Sequence, residues 1–298
     1  MQEFIVRKKK ELNAIILAHY YQLPEIQELA DFVGDSLQLA RQAATTSAEL
    51  IVFCGVKFMA ESAKILSPDK TVILPEIKAG CPMADMIDAG QLRKEKAKYP
   101  GAKIVCYVNS SAEVKAESDI CCTSSNALNV VKSIPHDEQI IFVPDRNLGS
   151  YIQSRTGREL ILWQGFCPVH DVLSKKDVEE QMALHPGVPV VVHPECPPGV
   201  TRMADAVCST GGILEYVKKS SEQEFIIGTE EGFIYTLKKN CPDKNFYLAR
   251  SGFSCPDMKY TSLEILAKAL DKLEYQVEVP ADIRDKARIS LDRMIAIN

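Results

Sequence analysis

Three cysteines stand immediately before a proline at nearly equal intervals. They are Cys81 in GCPMAD, Cys167 in GFCPVH and Cys255 in FSCPDM, separated by 86 and 88 residues. Five of the ten cysteines precede a proline, Cys196 and Cys241 being the others, whereas 16 prolines would give about 0.5 such pairs by chance. Cys167 follows an apolar run, Leu160–Trp163. Proline drives the residue before it toward extended geometry and suits the first turn of a helix. Cys167 is therefore expected at a strand end, capping a helix, where a thiol ionises more easily. The ordinary role of a lone cysteine is a buried structural thiol.

Three thiolates can hold zinc, an iron–sulfur cluster, or nothing. Zinc sites usually draw on close pairs such as Cys-x-x-Cys, and the sequence has none. Long separations suit a cubane cluster whose ligands come from separate units, and Cys-Pro also ends some ferredoxin motifs. Three protein ligands on four irons leave one iron open, as polarising a substrate oxygen requires.

A second set offers proton transfer: His19, Tyr21, Tyr107, Asn109, His193 and Glu195. A third offers hydroxyls where helices start: Ser36 in GDSLQ, Ser124 and Ser125 in CTSSN, Ser209 and Thr210 in STGG. Each alone reads as an N-cap. Together they make a candidate anion site, since helix N-termini bind phosphate and carboxylate. Met59, Met83 and the aliphatic stripes read as core.

These residues recur in phase, so the elements that position them must repeat. First strands end in AHYYQLPEIQ, CYVNSSAEVK and VHPECPPGVT, with His19, Tyr107 and His193 in the same place. The second strands are read as LIVFCG, SDICCTSS and ADAVCSTGG, each followed by a helical segment (56–66, 126–134 and 213–219). The third are read as TVILPE, IIFVPD and FIIGTE. A further strand, ELILWQG or NFYLARSG, precedes the Cys-Pro in units two and three only. Short apolar strands alternating with helices predict an α/β chain of three homologous αβα units with parallel sheets. The units are 1–82, 83–168 and 169–256, and 257–298 forms closing helices. Ligands sit beyond the carboxyl ends of parallel strands, so a ring of three units makes the three residue sets converge near a pseudo-threefold axis.

The bulk numbers agree. The chain has 298 residues, 46% hydrophobic and 25% charged, with a formal net charge of −5. That gives no electrostatic case for nucleic acid or an anionic membrane. The apolar run Ala14–Ala18 is too short for a signal peptide, and nothing approaches the roughly 18 apolar residues of a span. The chain reads as cytoplasmic, where a disulfide framework is not expected.

The segments AHYYQ, GDSLQLA, VFCGVKFMAE, GCPMAD, YVNSSAEVKA, CTSSNA, PDRNLG, GFCPVHD, HPEC and STGG span nearly the whole chain. Together they resemble the quinolinate synthase family of de novo NAD biosynthesis. The resemblance implies three αβα domains about a pseudo-threefold axis and one 4Fe–4S cluster with three cysteine ligands, Cys81, Cys167 and Cys255, and one open iron. It implies a transferase that condenses iminoaspartate with dihydroxyacetone phosphate to quinolinate, releasing phosphate and two waters. The implied catalytic residues are Tyr21, Tyr107, Glu195, His19 and His193. The implied substrate contacts are His19, Ser36, Tyr107, Val108, Asn109, Ser124, His193, Pro194, Glu195, Ser209 and Thr210. The enzyme that supplies iminoaspartate is an implied partner. Two other classes use the same residues: a cluster-dependent hydro-lyase acting on a small hydroxy acid, and a thiol-rich binding protein without a cluster. Consumption of dihydroxyacetone phosphate separates the first, and absorbance near 400 nm the second.

Overall fold

The computed structural model describes residues 1–297. Its strands form three four-stranded sheets in which every pairing is parallel. The first contains β1 (Ala14–His19), β2 (Phe32–Gly34), β3 (Leu50–Cys54) and β4 (Thr71–Ile73). The second contains β5 (Lys103–Tyr107), β6 (Ile120–Cys122), β7 (Ile140–Val143) and β8 (Ile161–Leu162). The third contains β9 (Val190–Val192), β10 (Ala206–Val207), β11 (Glu224–Gly228) and β12 (Asn245–Leu248). The orders are β2-β1-β3-β4, β6-β5-β7-β8 and β10-β9-β11-β12, one topology repeated three times. The two central strands of each sheet are continuous apolar runs, such as Leu50–Cys54 and Ile140–Val143, because helices cover both faces.

The first unit differs from the reading above. Its second strand is Phe32–Gly34, a three-residue element too short to stand out as an apolar run. The segment LIVFC is the third strand, and TVI is the fourth, equivalent to Ile161–Leu162 and Asn245–Leu248. The helix after the second strand is thus Ser36–Thr45, not 56–66. All three units have four strands.

A repeated aspartate fixes this register. Asp31, Asp119 and Asp205 stand just before β2, β6 and β10. Their Oδ2 atoms accept the N–H of Ile16, Ile104 and Val190, each at 2.8 Å. The N–H of each aspartate in turn donates to the carbonyl of that same residue. Each carboxylate thereby takes up a backbone donor that a sheet edge would leave to water.

Outside the three sheets, the helix Leu263–Lys272 packs on the first helix, Gln2–Glu11, and shares a core cluster with β1 and β3. The last helix, Ala281–Ala296, lies on Lys57–Leu66, Ala112–Ala116 and β6, so it closes units one and two together.

The polar order 2-1-3-4 puts the switch point between the first and third strands of each sheet, and the carboxyl ends of β1, β5 and β9 lie there. Replacing Asp205 by Ala should lower stability by about 1–2 kcal/mol, the low side of a charged hydrogen bond, since the side chain stays partly in water. The check is the urea midpoint at constant slope; an unchanged midpoint would remove the aspartate from the fold's support.

Candidate active site

The three sheet ends enclose a cavity of about 920 Å³, its mouth included. Cys81, Cys167 and Cys255 all line it. Each lies at the start of a turn whose residue i+3 turns its N–H toward the sulfur: Ala84, His170 and Met258 respectively. Cys167 caps the helix Pro168–Asp171, with proline at the first helical position. Burial pushes the Cys81 thiol up to about 12 and the Cys255 thiol to about 11, and raises Cys167 as well. These are thiols that a positive charge among them would deprotonate.

Behind two of the cysteines a carboxylate holds the loop backbone. Glu230 Oε1 accepts the N–H of Cys255 at 3.0 Å. Asp145, fully buried near Cys167, accepts the N–H of Leu148 at 2.7 Å, and its Oδ2 has no hydrogen-bond partner. Asp257 Oδ1 accepts the N–H of Gly80, just before Cys81, at 3.1 Å.

Glu195 is the buried charge beside Cys167. Burial alone would raise its carboxyl. The imidazoles of His193 and His170, with hydrogen bonds from His170 and Tyr107, hold it down at about 2. Tyr107 Oη donates to Glu195 Oε1 at 2.6 Å, and His170 Nδ1 lies 2.8 Å from Oε2. An ionised Glu195 accepts only, so His170 carries a proton on Nδ1, and its Nε2 lies 3.0 Å from Thr229 Oγ1. Thr229 Oγ1 in turn shares a hydrogen bond of 2.6 Å with Tyr21 Oη. A continuous chain runs Tyr21–Thr229–His170–Glu195–Tyr107. Burial keeps both phenols well above their ordinary pKa, and the Glu195 charge adds to it.

His19 and His193 share one local device. The Nδ1 of each accepts the N–H two residues on, Tyr21 at 3.2 Å and Glu195 at 3.3 Å. Each Nε2 therefore bears the proton, and that of His193 donates to Ser124 Oγ at 3.2 Å. Burial, first among the causes, holds both imidazoles down at about 3, so both are neutral donors at pH 7. Asn109 Oδ1 is buried without a hydrogen-bond partner, an acceptor open to a ligand.

The strand register makes Ser36, Ser124 and Thr210 equivalent, and all three line the cavity. Ser36 and Thr210 open the helices Ser36–Thr45 and Thr210–Lys219, whose N-termini favour an anion. Asp35 lies beside them, committed to its neighbours. Its Oδ1 accepts from Leu37 and Gln38, its Oδ2 from Ser125 Oγ at 2.7 Å. Ser125 Oγ also lies 2.9 Å from Ser209 Oγ, so this knot ties all three units. A Cβ on Gly211 would come within 2.7 Å of Asp35 Oδ2, which leaves glycine as the residue that fits.

A family profile described as Quinolinate synthetase A protein matches residues 3–296. The chain belongs to that family. It is 55% identical to a quinolinate synthase of Desulforudis audaxviator over 289 residues, 97% of this chain and 95% of that protein. It is 51% identical to a quinolinate synthase of Methanosarcina barkeri over 300 residues, 99% and 98% of the two chains.

Within this family member, His19, Tyr21, Ser36, Tyr107, Asn109, Ser124, His193, Glu195 and Thr210 meet at one cavity with the three cysteines. Val108, Pro194 and Ser209 are buried but do not line it. Val108 faces a small neighbouring pocket, and Ser209 caps its helix through the Gly212 N–H. Met59 and Met83 are core residues that also form cavity wall. Sequence reasoning missed His170, Thr229, Glu230, Asp35 and Asp145. His170 was within reach, three residues after Cys167 in GFCPVH, one helical turn from a cavity thiol.

The histidines make stability depend on pH. Folded, they take up protons near pH 3; their ordinary value is 6.5. Between these values the unfolded chain binds more protons, so stability falls as pH drops from 6.5 toward 3. Glu195 acts in the same direction, its contribution complete above 4.5 and lost toward 2. The metal-free chain should therefore show a lower urea midpoint at pH 5.5 than at 7.5, and His193→Asn should shrink the difference. Equal midpoints for the parent would contradict the neutral buried imidazoles.

Proposed function

We propose that the protein is a quinolinate synthase of de novo NAD biosynthesis, condensing iminoaspartate with dihydroxyacetone phosphate and releasing phosphate and two waters. The observation that carries this reading is the meeting of three thiols, one per unit, with an ionised Glu195 and two neutral histidines around one cavity. The three thiols fit a 4Fe–4S cluster: they come from separate units, receive N–H groups at sulfur, and share no close Cys-x-x-Cys partner. Cys81, Cys167 and Cys255 would hold it. When bound, it supplies a Lewis-acidic iron with one position free of protein ligands.

The chain's own residues do the rest. The His19 and His193 Nε2–H groups and the helix starts at Ser36 and Thr210 bind carboxylate or phosphate oxygens. Asn109 Oδ1 accepts from an imine or amine N–H. Glu195 takes a proton from carbon or nitrogen, and Tyr107 returns one to a departing hydroxyl. The Thr229–His170 link lets Tyr21 exchange protons with Glu195 without solvent. Val56, Phe58 and Met59 give one side of the cavity an apolar wall that keeps water from the imine.

Small soluble substrates, and the absence among the described residues of any helix long and apolar enough to cross a membrane, accord with action in the cytoplasm. The partner would be the enzyme that supplies iminoaspartate.

A second reading comes from Cys167, His170 and Glu195, whose ligand atoms lie within 4.8 Å of one another and could hold a single cation. It would break the His170–Glu195 hydrogen bond. Anaerobic protein decides between the two. The cluster reading expects iron and sulfide with absorbance near 400 nm, lost in Cys81→Ala, Cys167→Ala and Cys255→Ala and kept in Cys54→Ala or Cys241→Ala. A single ion kept in Cys81→Ala and lost in His170→Ala would favour the second reading. Dihydroxyacetone phosphate must be consumed as quinolinate forms; no consumption would point to a hydro-lyase.

Tyr21→Phe and Tyr107→Phe remove one O–H each and leave the thiols in place. They should keep the metal and lose activity by about 10²–10⁴-fold, the usual size of a proton-transfer role. Near-parent turnover in both would make the phenols structural.

A further inference from the structure

A buried ion pair beside the cavity has no part in the scheme above. Lys259 lies four residues after Cys255, and Glu230 lies just past β11. Lys259 Nζ is 2.8 Å from Glu230 Oε1, with the glutamate side chain at 0% exposure and the lysine at 20%. Removing one partner would leave the other charge buried and unpaired.

Each end holds something else. Glu230 Oε1 accepts the Cys255 N–H at 3.0 Å, and Oε2 accepts the Gly232 N–H at 2.7 Å. Lys259 Nζ donates to the main-chain carbonyl of Tyr21. Tyr21 is otherwise held by its N–H on His19 and its phenol on Thr229. A Cβ at Gly232 would stand 2.5 Å from Lys259 Nζ and 2.9 Å from the Tyr21 carbonyl, so the chain keeps glycine where the pair crosses from unit three to unit one. The side chain of the equivalent acid of unit two, Asp145, forms no ion pair among the described residues and accepts the Leu148 N–H instead. The cross-link is particular to the Cys255 loop.

We propose that Glu230 and Lys259 are positioning residues that fix the Cys255 loop and the Tyr21 strand end as one body, so that the placement of a metal ligand and of a proton donor are set together. The metal part of this rests on the cluster reading. Groups that orient a ligand from behind typically cost about 10–100-fold in metal affinity when removed.

The test uses Lys259→Met in the full chain, with Lys259→Arg as conservative rescue. Lys239→Met is the control, because Lys239 and Glu28 form an exposed pair, 2.6 Å apart, between the same two units. Two readouts are taken. Hydrogen exchange on the metal-free protein should show lost protection at residues 20–23 and 253–259 together in Lys259→Met, regained in Lys259→Arg and unaffected in Lys239→Met. After anaerobic reconstitution, a ferrous chelator should strip iron about 10–100-fold faster from Lys259→Met than from parent. Should Lys259→Met fail to fold, Glu230→Gln, which keeps the shape and one of the two acceptor oxygens while removing the charge, is read in the same way. Lost protection confined to 253–259, or parent-like exchange at both segments, overturns the proposal. A parent chain that binds no iron overturns the cluster reading instead, and exchange still decides the coupling.

Discussion

A carboxylate buried to 4% exposure and still ionised is the constraint on which the rest depends. Glu195 can stay charged only with strong donors on both oxygens. No single unit supplies them. Tyr107 comes from the end of β5 in unit two, and His170 from the helix after Cys167. The carboxyl-terminal sheet edges of units two and three must therefore face each other, with that of unit one joined to them. The Ser125 bridge between Asp35 and Ser209 holds them so.

The repetition supplies scaffold, and its breaking supplies chemistry. The aspartates before β2, β6 and β10 do the same work in all three units at the same distance. At the ends of the first strands, units one and three place a histidine whose Nδ1 is taken by a backbone N–H. Unit two places Tyr107 there instead, and the phenol reaches the carboxylate of unit three.

The fold class was legible because buried parallel strands leave continuous apolar runs, as in LIVFC, IIFV and FIIG. The phase of unit one was not, because Phe32–Gly34 is three residues and carries little apolar signal. Asp31, Asp119 and Asp205, each fifteen residues after its strand partner Ile16, Ile104 or Val190, would have corrected it. The cavity residues were legible where they followed strands in phase. His170, Thr229 and Glu230 escaped because their roles depend on groups distant in sequence: Thr229 matters through Tyr21, 208 residues away. Val108, Pro194 and Ser209 stand beside residues that line the cavity and do not line it themselves, since neighbours on an extended chain point to the other side.

The three cysteine loops show why such a site needs a whole chain. Two residues past the third strands stand Val56, Asp145 and Glu230. Unit one thus has an apolar residue where the others have an acid, and Val56 serves the cavity wall. The Cys81 loop consequently takes its carboxylate from Asp257, two residues after Cys255. The Cys255 loop is in turn held by Glu230, whose charge is balanced by Lys259 on the backbone of unit one. Support thus passes from the segment just after Cys255 to unit one at two points, at Gly80 and at Tyr21. A loop that binds metal through one cysteine gains little from its own unit's stability. It gains from the neighbour whose backbone it shares, so the thiols are set relative to one another before any metal arrives.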